Sequence, residues 1–146
     1  MFLVKYHKDI ASDAEGENKE EKAKFKELFA ESLKHLELGI KAFETVKDEA
    51  NLALLHSNTG RLMRLRAHFH SPGESDRKEL AGQERHFYGK AIASYQKALQ
   101  VLGERKYNPV VWDSVNWELS TALYTMATLL QDYPACVKVS RDLVNN

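Results

Sequence analysis

Cysteine is nearly absent from this chain. The one thiol in 146 residues, Cys136, excludes an intramolecular disulfide framework and a zinc ribbon. Proline and glycine are sparse, at three and seven residues, which argues against a turn-rich all-β fold. Neither sign of charge dominates. Lys+Arg 21 balances Asp+Glu 21, so the net basic footprint of a nucleic-acid binder is missing. No apolar run reaches the ~20 residues that span a bilayer, and there is no Asn-x-Ser/Thr acceptor. The opening Met1-Phe-Leu-Val-Lys5 is too short and too soon charged for a signal peptide. An intracellular protein without a membrane partner is the expectation.

What is present is ordinary for a globular domain: 43% hydrophobic, 10% aromatic and 29% charged residues. The length suits one domain or a piece of one. Turn chemistry concentrates at Ser71-Pro72-Gly73-Glu74-Ser75-Asp76, at Gly103 to Pro109 and at Pro134. Between these breaks the period is helical. Phe25, Phe29, Leu33, Leu36, Ile40 and Phe43 recur at three and four, as do Ala91, Tyr95, Ala98 and Leu102. No segment alternates, so no strand is predicted. Helices are expected over about 21–47, 50–69, 84–103 and 109–131, with boundaries good to about three residues. A loop is expected over 71–83. Residues 1–20 read as an N-terminal segment with an acidic loop, and 134–146 as a C-terminal segment forming a truncated helix.

Two of these helices are apolar on more than one side. Over 51–69, Leu54, Leu55, Asn58, Leu62, Leu65 and Phe69 form one stripe. The opposite face holds the smaller Ala53, Gly60 and Ala67. Over 109–131, Trp112, Val115, Leu119 and Met126 form one stripe, and Trp117 and Tyr124 a second. A helix at the edge of a bundle needs a single stripe, whereas stacked helix pairs need two. An internal repeat agrees: Ser32/Leu36/Gly39 and Ala91/Tyr95/Ala98 share the pattern small-x3-large-x2-small. The latter matches the second-helix element of the tetratricopeptide repeat, and Trp117-x6-Tyr124 matches its first-helix element. The expected fold is all-α, with tetratricopeptide-like antiparallel helix pairs forming a piece of a solenoid.

Candidate sites are few. His68, His70, His86 and Cys136 could be assembled into a metal or enzyme site, but residues two apart on a helix point apart. A frayed basic helix end explains the histidines. Gly82, Gly89 and Lys90 lack the phosphate-loop spacing. Glu118 lies between two faces and suggests no acid–base pair. No catalytic residue, cofactor or metal is expected. Asn58, inside a leucine stripe, is expected to be a buried amide fixing helix register. Tyr95, Trp112, Trp117 and Tyr124 are expected to pack between helices. Arg61, Arg64 and Arg66 flank the stripe and read as a basic lip that binds other proteins through a peptide or acidic segment.

Three stretches carry a family resemblance: Asn51-Leu-Ala-Leu-Leu-His-Ser-Asn58-Thr-Gly60-Arg61-Leu-Met63-Arg64, Lys90-Ala-Ile-x2-Tyr95-x-Lys97-Ala-Leu99, and Trp112-Asp-Ser-Val-Asn-Trp117-Glu-Leu-Ser-Thr121. They resemble the helical-repeat region of the erythroid differentiation-related factor family over about Asn51 to Tyr133. The resemblance implies a piece of a longer, nuclear, non-enzymatic factor affecting erythroid gene expression, globin genes included. It supplies no catalytic or ligand residues. The sequence therefore reads as a protein-interaction scaffold. Two alternatives stay open: nucleic-acid binding through the Arg61–His70 basic stretch, and an enzyme with an unrecognised site.

Overall fold

The computed structural model describes residues 2–69 and 77–128, with side chains at 16, 17, 19–69 and 81–128. Four α-helices follow one another: α1 (Phe2–Val46), α2 (Glu49–His68), α3 (Arg77–Leu102) and α4 (Pro109–Thr128). A 3₁₀ turn at Arg105–Tyr107 precedes α4. No strand occurs among the described residues. Two boundaries differ from the sequence expectation. The first helix starts at Phe2, so the expected acidic loop within 1–20 is helical there. Its Glu, Lys and Ala content favours helix once propagation is under way. Residues 77–83, expected as loop, form the first turns of α3. The segment 134–146 lies outside the described residues.

Local chemistry sets the joints. Lys47 adopts a left-handed backbone, φ 56°. The amides of Lys47 and Asp48 return to the carbonyls of Glu44 and Phe43 at 3.3 and 3.1 Å, a Schellman ending. Asp48 then caps α2, its Oδ1 accepting from the Asn51 amide at 3.2 Å. Gly103, at φ 70°, ends α3 with its amide on the Leu99 carbonyl at 3.1 Å. Asn108 caps α4 through the Val111 amide at 3.4 Å.

Joints this short force antiparallel neighbours. The largest interface lies between α2 and α3; α2 also packs on α1 and α4, and α3 on α4. This is the layering of an all-α, tetratricopeptide-like stack. The core joins Ala53, Met63 and Ala67 of α2 to Tyr88, Tyr95 and Leu99 of α3 and to Val115, Leu119 and Met126 of α4. Small residues on α2 make room for large ones on α3. A Cβ added at Gly60 would lie 2.6 Å from the Tyr95 ring.

That packing covers in full only one of the two α2 faces expected to meet neighbours. The small face is buried, whereas Leu54 and Leu65 are 41% and 62% exposed and Asn58 is exposed. Leu55 and Phe69, from the edge of the same stripe, turn to α1. Leu55 lies against Gly39, and Phe69 stacks on Phe25 with ring centroids 3.7 Å apart. The physical reason is area. Seating two tyrosines of ~150–250 Å² each removes more surface from water than burying the leucines would, and only a small-residue face lets α3 come close enough.

Candidate functional site on the outer face of α2

The uncovered part of the leucine stripe lies on the surface of α2. Leu54, Asn58, Arg61 and Leu65 recur at three and four along the outer side of α2, so one line of side chains faces out. Two leucines flank an amide and a guanidinium, a pattern able to bury apolar groups and hold a carbonyl or carboxylate between them.

Beneath the stripe, Glu118 of α4 ties the helices together. Its Oε1 accepts from Arg61 Nε at 3.1 Å. Its Oε2 accepts from Arg64 Nη1 at 3.0 Å and from the Tyr95 hydroxyl at 3.3 Å. Burial opposes charge on Arg64, but hydrogen bonds to the Tyr95 and Tyr88 hydroxyls outweigh it and raise its pKa. Burial pushes the Tyr95 hydroxyl up, with Arg64 pulling the other way and Glu118 adding to the rise. Nothing in the sequence spacing marks Glu118 as this junction; a lone acid on a face between helices was its one signal.

The expected arginine lip is thereby corrected. Arg61 is on the outer stripe, its side chain 51% exposed. Arg64 is turned inward to Glu118. Arg66 leaves this side altogether: its guanidinium lies over the Phe87 ring at 4.9 Å, and the Gln83 amide oxygen, facing it, accepts at 2.6 and 3.0 Å. Arg61 and Arg64, three apart, converge on Glu118, whereas Arg66, two beyond Arg64, points to another side of the helix.

The packing residues divide too. Tyr95 is fully buried. Trp112 is half-buried against the core. Asn58, Trp117 and Tyr124 do not have the buried packing role expected of them: Asn58 is exposed, and Trp117 and Tyr124 are 73% and 70% exposed on the outer face of α4.

His68 Nε2 meets the hydroxyl of buried Tyr88. His86 is exposed, its ring edge-on to Phe87. His70 and Cys136 lie outside the described residues. Among the described residues no three His, Cys, Asp or Glu side chains converge on a common point, and no helix is long and apolar enough to cross a membrane.

The family model for erythroid differentiation-related factor 1-like tetratricopeptide repeats matches residues 5–146. The chain is 51% identical over 108 residues to erythroid differentiation-related factor 1 of Homo sapiens and of Pongo abelii, and 50% identical to that of Mus musculus. The matched stretch is 73% of this chain and 9% of each relative. No solved structure matches.

Proposed function

Because the chain belongs to the erythroid differentiation-related factor 1-like family of tetratricopeptide repeats, we propose that it is a non-enzymatic scaffold that holds another protein. The relatives' name associates them with erythroid differentiation. In this reading the chain forms part of a nuclear factor that regulates gene expression, with residues 21–133 as its repeat unit. The observation that carries the binding role is the open Leu54–Asn58–Arg61–Leu65 stripe on α2, the helix that touches all three others. Repeat arrays recruit partners along extended surfaces of stacked helices. The partner segment offers apolar side chains to Leu54 and Leu65 and a carbonyl oxygen to the Asn58 amide nitrogen between them.

Nucleic-acid binding through residues 61–70 finds its three arginines engaged. Arg61 and Arg64 pair with Glu118, Arg66 lies on Phe87, and His68 meets Tyr88. Phosphate binding needs several free cations.

Capture from nuclear extract tests the proposal, comparing the parent chain with a Leu54→Glu/Leu65→Glu variant. Both leucines are exposed, so the melting temperature should stay within the small range typical of surface changes. Partners identified by mass spectrometry should be lost. Capture that survives intact places the binding surface elsewhere.

A further inference from the structure

The outer stripe of α2 continues onto α1. Phe25, Leu28, Gly39 and Val46 lie along one line of α1. Phe25 and Gly39 meet α2 through Phe69 and Leu55. Phe29 turns the other way, to Phe87 of α3. Leu28 and Val46 therefore border the α2 stripe on the side away from α3, and they are 53% and 69% exposed. We propose that this joint face of α1 and α2 binds a second copy of the same chain, with α2 laid antiparallel on α2 about a two-fold axis. The inference names an occupant for the stripe, and so rests on the reading of that stripe as a binding surface. Another partner protein then competes with the second copy for it.

The first argument is self-complementarity. A two-fold interface sets one patch against itself, so that residue i meets j and j meets i. Such a patch must read alike from both ends. Leu54 and Leu65 straddle a midpoint between Thr59 and Gly60, and Asn58 and Arg61 straddle the same one. Antiparallel pairing about it sets Leu54 on Leu65 of the second copy, twice over, and Asn58 beside Arg61 of the second copy. Leu28 joins each leucine pair, because the Phe25–Phe69 and Gly39–Leu55 contacts put it level with the turn that carries Leu65. A slip of four residues sets Leu54 against Arg61, or Leu65 against Asn58, so the leucines themselves fix the register.

Charge is the second argument. Two arginines approach the axis, and each is balanced within its own copy. Arg61 turns Nε and Nη2 to Glu118 Oε1, both at 3.1 Å. Its Nη1 stays on the outer side, 3.5 Å from Asn58 Oδ1. Nη1 carries two N–H groups, so Arg61 of one copy can donate to Asn58 of the other. The amide between the leucines is thus met when the seam closes, and no polar group at its centre is stranded.

Area is the third. A standard interface takes about 800 Å² from each partner, and a little over half of it, about 450 Å², is apolar. Leu28, Val46, Leu54 and Leu65 are all 41% or more exposed. Together they offer on the order of 400 Å² on one face, a patch of the size that marks interaction sites rather than scattered surface leucines. The apolar share that a stable dimer needs is therefore present, with Asn58 and Arg61 between the two leucine pairs.

Sedimentation velocity of the purified full chain, with no extract present, tests the proposal. A monomer–dimer equilibrium that shifts with concentration is expected. Leu54→Glu/Leu65→Glu should weaken it at least ~30-fold while the helical circular dichroism persists. Cross-linking reads the register. In a Cys136→Ser background, a short bis-maleimide should join chains carrying Leu54→Cys to chains carrying Leu65→Cys. It should not join two chains carrying Leu54→Cys, whose thiols lie about 16 Å apart along the paired helices. A chain that stays monomeric at high micromolar concentration overturns the proposal, as does a dimer that survives Leu54→Glu/Leu65→Glu. Cross-links between two chains carrying Leu54→Cys overturn it equally. If the double glutamate variant unfolds, the cross-linking pattern alone decides. A monomer whose extract partners depend on Leu54 and Leu65 removes this inference and keeps the scaffold reading. A stripe-dependent dimer whose extract partners ignore those leucines does the reverse.

Discussion

His56 occupies a position that a titratable group rarely tolerates. It is 5% exposed in the α2 layer, and its Nε2 has no hydrogen-bond partner among the described residues. Burial lowers its pKa below the ordinary 6.5, Lys97 of α3 lowers it further, and Glu44 of α1 opposes them. In the unfolded chain His56 titrates normally, so below about pH 6.5 the unfolded state binds more protons than the folded one. Stability is therefore full above the unfolded pKa and is lost as pH falls toward the depressed folded value. Urea midpoints should drop between about pH 7 and pH 5, and His56→Gln should flatten that slope. An equal slope in the variant would assign the acid sensitivity to another group. The sequence shows a histidine among leucines and small residues. It does not show which side of the helix is covered, and that alone decides whether this histidine titrates normally.

At the scale of single elements, the ends are chemically explicit and the lengths are not. Gly103, Pro109 and the 71–76 turn cluster mark breaks that are readable as residue types. Lys47 is different, because a lysine in the left-handed region is not a turn signal. It holds φ 56° because the Schellman bonds and the Asp48 cap fix both sides of it. That conformation costs a residue with a Cβ roughly 1–2 kcal/mol that glycine avoids. Glycine's extra freedom in the unfolded chain returns some of the difference. Lys47→Gly should therefore stabilise the chain by up to about 1 kcal/mol, read as a higher urea midpoint at unchanged slope. A lower midpoint would mean that the lysine side chain contributes more than its backbone costs.

Across the whole molecule, charge serves to join layers. Arg61 and Arg64 of α2 share one carboxylate of α4, so a binding test by charge reversal at Arg61, Arg64 and Arg66 is also a stability test. Changing all three to Glu sets two new carboxylates against Glu118 and removes the cation from Phe87. Hydrogen bonds to charged groups are each worth about 1.5–3 kcal/mol when partly buried. The triple variant should lose several kcal/mol by that measure and melt well below the parent. A melting temperature unchanged by the triple reversal would show that the Glu118 junction does not hold α4 to α2. Leu54 and Leu65, which touch no such junction, are the better positions for separating binding from folding.

The all-α class was set by the sequence alone, because the three-and-four recurrence of Phe25, Phe29, Leu33 and Leu36, and of Ala91, Tyr95 and Ala98, is a local property that every helix must satisfy. Family membership was legible for the same reason: the Trp112–Thr121 stretch is a string of residue types and needs no partner to be read. The direction each helix faces was not local. α2 carries a leucine stripe and a small-residue face, and either could have been buried. Only the two tyrosines brought by α3 decided that the small face goes inside and that Leu54, Asn58 and Leu65 go out. Glu118 gained its role in the same way, through arginines more than fifty residues earlier. Burial and pairing are properties of two surfaces at once, and spacing along one helix describes only one of them.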